Sequence, residues 1–278
     1  MSAFVGEYIG TAVMMLFISG AIGSVILKRS KVHGEGWLII VLGVGIGVTF
    51  GVYCTYNISG AHLNPAITIA LATAALFPWN EVFSYIVAQI LGAMTGTFLA
   101  YLTYLGQWKY TEDKITNLAF FATIPEVENK VHNMITEIIA TFILVFGILI
   151  IVENNVSSEL FPILVGLLVM GIGCALGGAT GYAINPARDL GPRILHAILP
   201  LPHKGKSHWD YVVVPILGPI IGGILGALTF NGFFKWNGFF TLMIILAALS
   251  ILIISLGYCK TYKIEVKNYE KLKEELHE

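Results

Sequence analysis

The chain has 278 residues, of which 56% are hydrophobic and only 12% charged, with a formal net charge of −1. A soluble domain of this length needs a far more charged surface, so the composition points to an integral membrane protein. Nothing in the near-neutral charge suggests a nucleic-acid partner, and none is expected. The three cysteines, Cys54, Cys174 and Cys259, sit in or beside apolar runs with neither metal nor disulfide spacing.

In chain order, apolar segments long enough to cross a ~30 Å hydrocarbon core occupy residues 3–27, 37–56, 82–105, 134–152, 160–177 and 211–230. The first has no basic n-region and reads as a retained span rather than a cleaved leader. Between the second and third lies Ser59-Gly60-Ala61-His62-Leu63-Asn64-Pro65-Ala66. Between the fifth and sixth lies Gly181-Tyr182-Ala183-Ile184-Asn185-Pro186-Ala187-Arg188-Asp189. Asn is a good helix cap and Pro suits the first helical position, so each Asn-Pro-Ala predicts a helix start. The apolar run that follows is only about ten residues, ~15 Å, which is half a bilayer.

Each half thus holds three spans and one half-helix, repeat 1 over about 3–106 and repeat 2 over about 132–230, within a domain at 1–230. The openings of the halves match as Glu7-Tyr8-Ile9-Gly10-Thr11 and Glu137-Ile138-Ile139-Ala140-Thr141. Gln89-Ile90-Leu91-Gly92-Ala93 in the third span corresponds to Leu217-Gly218-Pro219-Ile220-Ile221-Gly222 in the sixth. Repeats with an odd number of spans have opposite topology, so the half-helices enter from opposite faces and meet near the midplane. Glycines at helical spacing, among them Gly92, Gly96, Gly218, Gly222 and Gly226, predict close helix packing. Beyond the sixth span, 238–257 is a further apolar run, predicted as an extra helix, and 260–278 is a Lys/Glu-rich tail.

Charged residues at membrane depth are costly, ~3 kcal/mol or more for a carboxylate, unless they face the protein interior. Glu7 and Glu137 admit two readings, a proton relay or acceptors for the N–H groups of the irregular loops. Their repeat-related placement favours the second, a structural role. Arg188, in the first turn of the second half-helix, reads as a donor projecting into a pore, against a salt bridge to Asp189 or an interfacial position. His62 reads as a hydrogen-bonded packing residue, and no metal or cofactor is expected.

At these residues the chain resembles the aquaporin superfamily, and within it the bacterial glycerol facilitators of the aquaglyceroporin branch. Tyr104, Asp189 with Arg193, and Pro215-Ile216 look like the glycerol-conducting branch. The resemblance implies an all-α membrane fold of six tilted helices around one pore per subunit, in a homotetramer in a lipid bilayer, here a bacterial plasma membrane. It implies a pore centre at Asn64, Pro65, Ala66, Asn185, Pro186 and Ala187, where the two asparagines donate N–H groups to the permeant. It implies an acceptor ladder from the carbonyls of Gly60, Ala61, His62, Gly181, Tyr182 and Ala183. Such a line of fixed donors and acceptors replaces the hydration of a polyol or water, and the half-helix dipoles oppose cations and protons.

Aligned without gaps from the motifs, the family's narrow filter falls at Val44, Gly173, Tyr182 and Arg188. Val44 stands where glycerol facilitators usually carry Trp, which predicts a wider filter. The predicted function is a passive channel for small neutral solutes: glycerol and similar polyols, water, dihydroxyacetone, urea, hydrogen peroxide or undissociated lactic acid. The Tyr182 hydroxyl, in place of a more usual Phe, is expected to add a donor or acceptor. The alternative is a secondary transporter, which shares inverted repeats and broken helices but needs a coupling ion. An intramembrane enzyme needs a nucleophile with its base, or a metal cluster, and neither pattern occurs. One feature opposes the family topology: Lys28, Arg29, Lys31, Lys109, Lys114, Lys130, Lys204 and Lys206 fall in loops that the family places outside, so the positive-inside rule alone would invert the chain.

Overall fold

A computed structural model describes residues 1–234 together with Tyr262. Among the described residues every α or β element is helical: α1 (Ala3–Ile26), α2 (Trp37–Ser59), α3 (Pro65–Thr73), α4 (Trp79–Thr103), α5 (Lys114–Ala119), α6 (Lys130–Glu153), α7 (Phe161–Leu176), α8 (Pro186–Ile198) and α9 (Val213–Phe234), with one 3₁₀ turn at Trp108–Tyr110. Helices α1, α2, α4, α6 and α9 are each long and apolar enough to cross a membrane. The fifth expected span, α7, is apolar but has 16 residues, ~24 Å at 1.5 Å per residue. The chain forms two units, Met1–Phe230 and Asn231–Glu278. The expected extra helix at 238–257 and the charged tail at 260–278 lie outside the described residues, apart from Tyr262.

Both half-helices begin where the sequence places them. The Asn64 side-chain oxygen caps α3 by accepting from the Ala66 N–H at 2.8 Å. Asn185 caps α8 by accepting from the N–H groups of Ala187 and Arg188 at 3.0 and 3.3 Å. In each case proline follows at the first helical position, where it has no N–H to leave unpaired.

Close glycine crossings bind the long helices within the first unit. A Cβ at Gly92 or Gly96 of α4 would collide with the Tyr8 or Ala12 carbonyl of α1. A Cβ at Gly222 or Gly226 of α9 would collide with the Ile138 or Phe142 carbonyl of α6. One spacing, 130 residues, carries Gly92 to Gly222, Gly96 to Gly226, Tyr8 to Ile138 and Ala12 to Phe142. The repeat read from the two Glu-containing openings is therefore also a repeat of backbone contacts. Outward-facing apolar side chains such as Leu38, Phe50, Phe83, Leu99 and Leu167 are left exposed, as suits a lipid-facing surface.

Candidate functional site

The chain before each half-helix runs through left-handed backbone. Positive φ occurs at Gly60 (79°), Ala61 (50°) and Leu63 (50°), and again at Gly181 (78°), Tyr182 (37°) and Ile184 (43°). Four of these six positions carry L side chains, a strained conformation that persists only where the surroundings over-determine it. The buried carboxylates provide that constraint. Glu7 accepts from the His62 N–H at 2.9 Å and the Leu63 N–H at 2.7 Å, from the Ser59 hydroxyl at 2.6 Å and from Gln89 at 2.7 Å. Glu137 accepts from the Ala183 N–H at 3.0 Å, the Ile184 N–H at 2.8 Å and the Thr180 hydroxyl at 2.7 Å. With the loop N–H groups drawn to the carboxylates, residues Gly60, Ala61, His62, Tyr182 and Ala183 line a cavity of about 310 Å³ on the other side. Gly181 lies off this lining, its α-carbon facing Thr123.

The two half-helices meet at their N-termini. Asn64 donates its amide N–H to the Ile184 carbonyl at 2.8 Å, and Asn185 donates to the Leu63 carbonyl at 2.8 Å. The amide oxygens are committed to capping, which fixes each NH₂ toward the centre. Each NH₂ has two hydrogens; one goes across to the other half and one remains for the cavity, which both residues line. Pro65, Ala66, Pro186 and Ala187 are buried behind this point and serve as the helix starts.

Val44, Tyr182 and Arg188 line the same cavity, which continues along an apolar wall of Val48 and Val52 from α2 and Val165 and Val169 from α7. Arg188 is buried, and its Nη1 has no hydrogen-bond partner among the described residues. The Asp189 carboxylate is not its partner. It pairs instead with Arg193 at 2.8 Å, both side chains fully buried, and accepts from the Thr123 N–H and hydroxyl at 2.8 and 2.7 Å. Gly173 does not itself face the lumen: a Cβ there would lie 2.7 Å from the tip of the Tyr182 ring, so its contribution is the room it gives that ring. The Tyr182 hydroxyl is buried against Gly173 and unpartnered among the described residues. The expected extra donor or acceptor is thus packed away from the lumen, because the absent side chain at 173 leaves a slot that the phenol fills.

Several contributors escaped the sequence reading. Ser59 and Thr180 complete the carboxylate sites, and their signal was available, since each stands five residues before its asparagine. The Leu63 and Ile184 carbonyls, as acceptors across the centre, had no such signal. Nor did Thr123, through which Asp189 and Arg193 lock the inter-repeat loop onto α8; Arg193 also donates to the Ser207 carbonyl at 2.7 Å and the Thr123 carbonyl at 3.1 Å. Asp189→Ala strands a buried guanidinium, and removing one partner of such a pair costs ~3–5 kcal/mol. The expected result is a lower thermal midpoint in detergent, partly restored by the double variant Asp189→Ala/Arg193→Met. Differential scanning fluorimetry of the three proteins measures this. Among the described residues no group of three or more His, Cys, Asp or Glu could hold a metal ion.

Two half-helices that meet end to end, each anchored by a buried glutamate, beside a lumen lined by both polar groups and apolar side chains, define a helical membrane channel of inverted repeats. The chain belongs to the major intrinsic protein family, whose model matches residues 1–230. It is 52% identical over 234 residues to a probable glycerol uptake facilitator protein of Thermotoga maritima, covering 84% of this chain and 100% of that one. It is 46% identical over 274 residues to the glycerol uptake facilitator protein of Bacillus subtilis, covering 98% of this chain and 99% of that one. That second alignment extends beyond residue 234 into the C-terminal region. Among solved structures, the aquaglyceroporin of Plasmodium falciparum superposes with a TM-score of 0.74 at 30% identity, covering 86% of this chain and 98% of that one.

Proposed function

We propose that the protein is a passive channel for glycerol and other small neutral solutes, including water, in a bacterial plasma membrane, and that it works as a homotetramer. One observation carries this reading: the asparagines, the arginine and the loop backbones that line the lumen belong to the two half-helix segments, and Val44, Val48, Val52, Val165 and Val169 belong to α2 and α7. Asn64, Asn185, Arg188 and the two loop backbones line the cavity together with these valines. A polyol presents hydroxyls along one edge and C–H groups along the other, so it exchanges its hydration for fixed partners without ordering either wall. In this reading Val44, Tyr182 and Arg188 set the bore, with Gly173 behind Tyr182. The free amide hydrogens of the two asparagines hold the permeant at the centre. The unpaired guanidinium and the two half-helix N-termini put positive potential along the path, which opposes cations and protons. Glu7 and Glu137 act as structural anchors for the loops that present the carbonyls.

Proteoliposomes exposed to a glycerol gradient in a stopped-flow light-scattering instrument test the proposal. The expected result is glycerol entry much faster than in protein-free vesicles, linear in concentration and insensitive to a proton or sodium gradient. Saturation at low glycerol, or dependence on an ion gradient, would favour a coupled transporter instead.

A further inference from the structure

The aromatic wall of the lumen has a support that does not itself touch the lumen. Trp37, the first residue of α2, donates its indole N–H to the Gly173 carbonyl at 3.0 Å. Gly173 is one of the last four residues of α7, whose carbonyls have no partner further along the helix, so the indole satisfies a group that α7 leaves open. The same indole packs edge-on against Tyr182, with ring centroids 5.7 Å apart and planes at 71°. One turn beyond Gly173, a Cβ at Gly177 would lie 2.7 Å from the Tyr182 ring and 2.9 Å from the Trp37 ring. Two glycines on one face of α7 and its C-terminal edge therefore form a slot for the Tyr182 ring, and Trp37 closes it. At position 44 the chain lacks an indole in the wall; at position 37 it carries one behind the wall.

We propose that Trp37 is a positioning residue for solute selection: by bonding to Gly173 and packing against Tyr182, it fixes how far Tyr182 projects toward Val44, and so sets the bore. The inference rests on the reading of Val44, Tyr182 and Arg188 as the filter. A tryptophan that is 39% exposed at a helix start could serve merely as an interfacial anchor. An anchor affects insertion and thermal stability, whereas a positioning residue also changes the ratio of permeabilities for solutes of different girth.

The test compares glycerol and xylitol permeability of proteoliposomes containing wild type, Trp37→Phe, Trp37→Ala or Val44→Trp, each normalised to reconstituted protein. Loss of one neutral hydrogen bond corresponds to about three- to tenfold in an equilibrium. Trp37→Ala is expected to raise the xylitol-to-glycerol ratio by that order, and Trp37→Phe, which keeps a ring but loses the N–H, by less. If Trp37→Ala does not fold, the Trp37→Phe ratio decides alone. An unchanged ratio in the Trp37 variants that fold, with Val44→Trp narrowing the range, overturns the positioning role and leaves the filter intact. If Val44→Trp also changes nothing, the filter reading itself fails.

Discussion

Glu137→Leu is expected to abolish conduction and most of the folded population. Leucine fits the volume of the site but accepts no hydrogen bond. The Ala183 and Ile184 N–H groups and the Thr180 hydroxyl would then be left at membrane depth with nothing to bind. Each orphaned buried donor costs ~1–3 kcal/mol. Three together approach the ~5–15 kcal/mol that separates a folded protein from its unfolded chain. Glu137→Gln keeps one oxygen and turns an NH₂ toward a donor, so an intermediate loss is expected. Size-exclusion profiles and thermal midpoints in detergent, followed by glycerol flux in liposomes, give the order wild type, Gln, Leu. A Glu137→Leu protein that remains folded and conducts would show that the loop holds its shape without the carboxylate. A proton relay at this position would instead change the pH dependence of flux in Glu137→Gln while sparing stability.

The second large effect is expected from Val44→Trp. Val44 is buried on α2 and lines the lumen together with Tyr182 and Arg188. An indole there occupies space that the wild type leaves to solute, and small steric differences in an apolar pocket are worth ~10-fold or more in discrimination. The xylitol-to-glycerol permeability ratio is expected to fall by about that factor, with glycerol itself slowed less than xylitol. Flux of both solutes equal to wild type would place the constriction elsewhere along the cavity.

Hydropathy and the two Asn-Pro-Ala motifs made most of the architecture legible, because a membrane span is a property of one contiguous segment. The bounds of α1, α2, α4 and α6 fall within about four residues of those read from the apolar runs. The anchor geometry of Glu7 and Glu137 could be argued from cost alone, since a buried carboxylate and an irregular loop each need what the other has. Other features depend on which loops meet. Asn64 and Ile184 are 120 residues apart, and Thr123 lies 66 residues from Asp189; no local pattern encodes either pairing. The 3₁₀ turn at Trp108–Tyr110 and the short helix α5 sit in a stretch with mixed charge that reads as plain loop. They form there because Trp108, Phe120 and Phe121 bury one another, and Asp113 caps α5 through the Thr116 N–H at 2.7 Å. The Thr116 side chain first, and this backbone N–H second, hold the Asp113 carboxyl below its usual range. Composition also missed the side chain of Tyr182: its hydroxyl suggests chemistry, whereas the empty slot at Gly173 dictates where it goes.

The joint between Asn64 and Ile184, mirrored by that between Asn185 and Leu63, is made of one amide–carbonyl hydrogen bond from each half. Parting the two half-helices would break both bonds together, and each amide would then have to find a substitute in an apolar surrounding. Small excursions are therefore resisted from both sides at once, much as a two-pronged plug resists twisting more than a single pin. In the proposed channel the paired bonds favour a middle of fixed width, so a change of bore is expected toward the ends, where no such joint ties the two halves.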